Sequence, residues 1–442
     1  MVTDVRTLLA TIIVAAFLLL PVGLMGTASA AGPGRDLTPV LIGPVSTDRF
    51  GGGDLVAVKA GDALFGVRYG TSVHPNDVLI FAEYKRFLGG ADIVDAQGNH
   101  LTTRGIPVYT VLAQSLTHMI EFRPVNASEG FDLTSFEHIG LPLTRNVPIK
   151  GVSLVTAWQL TDRTNTSADG VTYVNFTVSA TNLSYAHVAN GTAVGDGKLN
   201  LVAFTFHLTV DVRDRSVQVP WFRITVSNAN RYEFERAEFL GYRNVTGPAV
   251  AMGAKYDHRI EGWDFAYPED RLALVTRLNV GNYVPERTAE FLHAILEERA
   301  DNDTGHRLGD AQTLTETQRP TLYTRDRVYF DDDYTRIGRF QWETGVTVDG
   351  NPATMTFNLQ GGGRLDIRHG DAFFLGFWLR GAFVYPAGQV IFHDPVMSAD
   401  ALLDLPVGVN LTPMTILAAQ LAVVAMAVGP ALYLRGKARR QR

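Results

Sequence analysis

The sequence predicts a mainly β protein: an antiparallel β-sandwich ectodomain of two or more units with one short helix, preceded by a signal peptide and followed by one transmembrane helix. Three observations predict it. Apolar residues alternate with period two through the middle of the chain, Gly-rich turns separate these runs, and uninterrupted apolar stretches stand near both ends.

Residues 1–30 carry Arg6, an apolar core from Leu8 to Leu20, a breaker at Pro21 and the small-residue triplet Ala28-Ser29-Ala30, the layout of a secretory signal with Ala31 as the first mature residue. An uncleaved anchor is the alternative, and both export the middle of the chain. A first β-sandwich-like unit is expected at 37–148 and a larger β-rich unit at 149–405, with the break near Pro148. In "VTYVNFTVSA", Val174, Phe176 and Val178 alternate with Tyr173, Asn175 and Thr177, which makes a strand with one buried and one wet face. "LVAFTFHLTVDVRD" repeats the logic, with His207 on the wet side. "AFFLGFWLRGAFVYP" is apolar on both faces and reads as a central strand buried twice over; a partner-binding or membrane-facing aromatic patch is the alternative. One segment breaks the pattern. Pro285 followed by Phe291, Leu292, Ile295 and Leu296 at helical spacing predicts a helix over about 286–300.

A tether at 406–413 leads into Met414–Leu434, 21 residues without a charge. At roughly 1.5 Å per residue that run spans about 31 Å, the thickness of a bilayer's hydrocarbon core. The tail at 435–442 holds Arg435, Lys437, Arg439, Arg440 and Arg442. Cations flanking a span stay on the cytoplasmic side, so the ectodomain is expected outside and the C-terminus in the cytoplasm, as in a single-pass cell-membrane protein.

Composition narrows the chemistry. From Ala31 to Thr412, 33 Lys and Arg stand against 44 Asp and Glu, a net charge of −11, which argues against a nucleic-acid partner. The chain has no cysteine, so disulfides, thiol nucleophiles, iron–sulfur clusters and Cys-zinc sites are excluded. Eight Asn-X-Ser/Thr motifs occur, although with 18 Asn in the chain chance would give roughly two. Asn126, Asn165, Asn175, Asn182, Asn190, Asn244 and Asn302 are the expected glycan acceptors; Asn410 lies close to the apolar run and is set aside.

Three stretches could carry a site. "YDHRIEGWDFAYPED" concentrates carboxylates and aromatics, and Glu261, Trp263, Asp264 and Tyr267 are candidates for binding a sugar, with glycoside hydrolysis as the sharper alternative and a strand end with a buried Trp as the plain one. Asp331, Asp332 and Asp333 could present oxygens to calcium, although successive strand residues point to opposite faces. No other cofactor is expected. The pairs Asp257-His258 and His393-Asp394 come nearest to metal-ligand spacing, yet no HExxH or H-x-H motif is present. "GTAVGDGKL" misses the phosphate-loop spacing, and there is no G-x-S-x-G elbow.

The sequence therefore predicts a non-catalytic, membrane-anchored surface glycoprotein for adhesion, envelope structure or ligand capture, with surface glycans or other envelope proteins as partners. The alternatives are an anchored extracellular carbohydrate-active hydrolase and an accessory subunit of a membrane complex.

Overall fold

The computed structural model describes residues 37–48, 51–124, 146–188, 191–228, 233–285, 323–324, 327–332, 335–369 and 372–402. The expected signal peptide, the expected helix over 286–300, the apolar run 414–434 and the basic tail lie outside these residues. The described part is mainly β and holds no α-helix. No helix in it is long and apolar enough to cross a membrane.

The strands are β1 (Val40–Ser46), β2 (Asp54–Ala60), β3 (Ala63–Tyr69), β4 (Val78–Asp95), β5 (His100–Pro124), β6 (Asn146–Ser153), β7 (Gln159–Ala168), β8 (Val171–Ala186), β9 (Ala193–Asn228) and β10 (Glu233–Glu261). They continue with β11 (Arg271–Pro285), β12 (Tyr323–Thr324), β13 (Arg327–Asp332), β14 (Thr335–Gln341), β15 (Gly345–Val348), β16 (Asn351–Thr354), β17 (Thr356–His369), β18 (Ala372–Pro386), β19 (Val390–His393) and β20 (Val396–Leu402). All belong to one hydrogen-bonded sheet.

Two antiparallel series make up most of that sheet, and β12–β16 attach to it through β14 on β20 and β15 on β19. The first runs β1-β2-β3-β4-β5-β11-β18-β17. The second runs β7-β8-β9-β10, after which β10 gives its far edge to β19 over 258–261 and to β20 over 249–255. They are joined where β6 pairs with β5 and touches β8 at Gly151–Ala186, and where Gly90–Asp95 of β4 runs parallel to Trp221–Val226 of β9. The expected break near Pro148 falls within β6, and side chains from both sides of it share one core cluster.

Period-two patterning builds this core. On β8, Val174, Phe176, Val178 and Ala180 are buried while Tyr173, Asn175, Thr177 and Ser179 face the other way. On β9, Val202, Phe204, Phe206, Leu208 and Val210 do the same. These meet Val56, Phe65, Ile80, Leu112, Leu274 and Phe383 of the first series in the same cluster. Burying each such side chain contributes roughly 1.5–3 kcal/mol. β18 pairs on both edges, and Phe383 lies in the main cluster while Ala382 and Val384 lie in a second one on its opposite face. It is the central strand that its two apolar faces predict.

The β4–β9 junction depends on a close approach. A Cβ on Gly90 would overlap three atoms of the Trp221 six-membered ring, over which the Arg243 guanidinium lies at 4.2 Å. G90A is therefore expected to destabilise the protein by about 1–3 kcal/mol, the usual cost of overpacking, read as a lowered urea midpoint. An unchanged midpoint would show that Trp221 yields freely.

Candidate ligand-binding face

The stretch around Trp263 forms the turn between β10 and β11, and it is built around a buried carboxylate. Trp263 is fully buried, and its indole N–H donates to Glu121 Oε2 at 2.9 Å. Glu121 Oε1 accepts the Ala266 N–H at 2.7 Å, and the Lys150 ammonium stands 3.6 Å from Glu121 while donating to the Asp264 carbonyl. Burial pushes the Glu121 carboxyl up; the Ala266 and Trp263 hydrogen bonds and Lys150 pull it back. Tyr185 packs edge-on against the indole and accepts the Asp264 N–H at 3.0 Å. Farther along the turn, Asp270 accepts the Tyr267 N–H and both arms of Arg123, whose guanidinium lies 3.8 Å from the Tyr267 ring centroid.

The four sugar-binding candidates are thus dispersed. Trp263 belongs to the core and has no face left to stack on a ligand. The Asp264 side chain is 80% exposed and Tyr267 is 51% exposed. Glu261 lies on β10, where it bonds Arg259. Among the acidic triplet, Asp331 and Asp332 pair with Arg336 and Thr335 across β13–β14, and Asp333 lies outside the described residues. Among the described residues no three His, Asp or Glu side chains converge as a metal site would require.

A better-formed site stands on the outward side of β8, β9, β10 and β19. The register sets four rows across it: Asn175, His207 and Lys255; Thr177, Thr205 and Asp257; Ser179, Ala203, Arg259 and Phe392; Thr181, Leu201, Glu261 and Val390. The middle rows carry small side chains on β8 and β9, so the surface sinks there. The result is a depression of about 350 Å³ lined by Asp162, Thr177, Ser179, Leu201, Ala203, Thr205, Asp257, Arg259 and Phe392. Asp162 reaches it because β7 bulges between Thr161 and Thr164, with Asp162 at φ 55°. Phe392, 42% exposed, supplies the aromatic wall.

Electrostatics tie the rows together. His207 Nδ1 donates to Asn175 Oδ1 at 2.8 Å, and Nε2 faces Asp257 Oδ2 at 3.3 Å, where one shared proton satisfies both. Burial pushes the Asp257 carboxyl up, the His207 bond pulls it down, and neighbouring Asp394 pushes it up again. Lys255 sits between the two carboxylates, 2.9 Å from Asp394 and 3.8 Å from Asp257. Thr177 and Thr205 share a hydroxyl bond at 3.0 Å. A surface so arranged offers donors, acceptors and one aromatic edge to a small polar molecule, the mixture that recognises a saccharide's hydroxyls and C–H faces.

Behind it, inside the core, Tyr385 bridges His258 and His393. Its hydroxyl lies 2.8 Å from His258 Nδ1 and 3.0 Å from His393 Nδ1, and His393 Nε2 lies 2.8 Å from the Glu343 carbonyl. The carbonyl can only accept, so His393 carries its proton on Nε2 and accepts from Tyr385 at Nδ1. The Tyr385 oxygen then accepts from His258 Nδ1–H. That leaves a lone pair on His258 Nε2, which has no partner among the described residues. Strand alternation explains why the adjacent Asp-His pairs form no metal site: both histidines point inward and both aspartates outward.

No family model matches the sequence, and no curated protein is significantly similar to it. The reading of the face therefore rests on its own chemistry. Its signal was present in the wet side of β8 and β9, but only the register shows that Asp257, Arg259 and Phe392 complete it. Of the glycan acceptors, Asn165, Asn182 and Asn244 are exposed and Asn175 is half-buried with its amide engaged by His207 and Thr164. Asn126, Asn190 and Asn302 lie outside the described residues.

Proposed function

We propose that this protein is a non-catalytic, membrane-anchored cell-surface glycoprotein whose β-sandwich ectodomain captures a saccharide-like ligand on the outward face of β8, β9, β10 and β19. The depression with its Thr177, Asp257, Arg259 and Phe392 lining carries the ligand reading. The two strand series contributing to one core support the sandwich. The apolar run 414–434 with its basic tail supports the anchor, and the excess of Asn-X-Ser/Thr motifs supports glycans on the exterior.

A glycan array probed with the full chain in detergent tests this. Binding without turnover is expected. F392A and an R259A variant should each weaken the best binder about tenfold, equivalent to ~1.4 kcal/mol, with unchanged melting temperature. An array without binders, or variants that bind like the parent, would remove the face from consideration.

A further inference from the structure

We propose that Asn244 carries an N-linked glycan whose first sugar ring stacks on the exposed Tyr242–Phe239 pair, so that the chain's own modification covers this aromatic patch. The inference rests on the reading of the exterior as glycosylated and is independent of the ligand face.

The sequence supplies the first argument. Tyr242-Arg243-Asn244-Val245-Thr246 sets an aromatic ring two residues before the acceptor and the hydroxyl residue two after it. Of the eight Asn-X-Ser/Thr motifs only Asn175 shares that arrangement, with Tyr173 before it and Thr177 after. Residues i and i+2 of a strand stand about 7 Å apart on one face. Tyr242, Asn244 and Thr246 of β10 therefore form one row, and all three are exposed. Arg243 and Val245 leave on the other face, where Arg243 lies over Trp221 and pairs with Asp92, and Val245 packs against Val219 and Ala249.

The register supplies the second. β9 sets Ser216 and Gln218 opposite Thr246 and Asn244. Both are exposed and uncharged, so the surface around the acceptor is polar and low. Among the described residues no hydrogen bond holds the Asn244 amide. Asn175 differs there: it is half-buried, and His207 and Thr164 engage its amide. Asn244 is thus the motif that joins a free amide to a neighbouring ring.

The third argument is the platform itself. β10 bulges between Phe239 and Gly241, with Gly241 at φ 105°. The extra residue brings Phe239 to the side of Tyr242, their rings 5.4 Å apart edge to face. Tyr242 is 47% exposed and Phe239 is 38% exposed, while Phe222, fully buried across on β9, backs Phe239 at 5.6 Å. The pair is propped against the interior and presents apolar surface to water. A pyranose has a face of C–H groups, and laying it on these rings removes apolar surface of both from water.

The modification joins Asn244 Nδ2 to the anomeric carbon of a sugar held on a lipid phosphate. The sugar–phosphate bond breaks, the lipid phosphate leaves with the electron pair, and the amide gives up one proton.

Full-length protein from a host that glycosylates exported chains tests this. Peptide mass mapping should find Asn244 modified. N244Q and T246V delete the motif in two ways, and each should lower the melting temperature by about 2 °C. In a Y242T background the same substitutions should leave it unchanged. Made in a host without glycosylation, N244Q and T246V should melt with their parent. Asn244 bare while other motifs carry sugar, equal shifts with and without Tyr242, or the same losses in sugar-free protein would each overturn the proposal. Sugar on none of the motifs would overturn the glycoprotein reading and this proposal with it.

Discussion

Replacing Trp263 with alanine is expected to cost about 5 kcal/mol, enough to consume much of a domain's typical 5–15 kcal/mol stability. Two effects add. Truncating a fully buried tryptophan usually costs about 3–5 kcal/mol through lost burial and the cavity left behind. The second effect comes from Glu121, which is itself buried and loses the indole N–H at Oε2. An acceptor left short in the interior costs about 1–3 kcal/mol. W263F separates the two effects: it keeps most of the packing and loses the hydrogen bond, so about 2 kcal/mol is expected. Urea unfolding of the three proteins measures this. If W263A and W263F shift the midpoint equally, the Glu121 bond dominates and packing does not. A shift below about 1 kcal/mol in both would mean that this turn does not anchor β10 to β11. Lys150 should matter through the same carboxylate, so E121Q ought to be tolerated better than E121L, which strands the indole and Ala266 N–H groups as well as the ammonium.

The contrast between what was readable and what was not comes from the physics of sheets. Val174, Phe176 and Val178 announce a half-buried strand because the side-chain period is a local property. β18 announces a central strand for the same reason. The alternation even forbids Asp257 and His258 from acting together, since neighbours in a strand face opposite ways. Pairing is another matter. Trp263 meets Glu121 across 142 positions and His258 meets Tyr385 across 127, and no local pattern encodes either partner. A tryptophan amid carboxylates looks like a sugar platform until its burial is known. The depression needed three such non-local facts at once: the β8–β9–β10 register, the addition of β19, and the bulge that turns Asp162 inward. Only the composition of its wet side was visible beforehand.

The second large effect is acid sensitivity, and its sign comes from the buried histidines. Burial lowers the His393 pKa to about 4, and it lowers His258 further, with the His393 charge adding to the effect. In the unfolded chain both titrate near their ordinary value of about 6.5. The unfolded state therefore binds more protons wherever the pH lies below that value, and stability falls as the pH falls. The contribution is complete above about pH 6.5 and is lost progressively toward pH 4, where His393 also charges in the folded state. Each group gives a slope of about 1.4 kcal/mol per pH unit, so His393 alone removes about 3 kcal/mol across that window. Melting temperatures recorded from about pH 7.5 to 4.5 should drop steeply below about 6.5, with His258 and His393 together taking up close to two protons on unfolding near pH 5. His118, which desolvation and the nearby Arg277 also lower to about 4, adds to that uptake. Y385F probes the same chain of hydrogen bonds from its centre. It strands the His258 N–H and the His393 lone pair together, at about 3 kcal/mol for the two at neutral pH. His393 then loses the donor that held its Nδ1 lone pair, while Nε2 keeps the Glu343 carbonyl, so protonation of the folded state becomes easier and the acid slope should flatten. A Y385F protein with the parent's slope and stability would show that the tyrosine merely fills space between two independent rings.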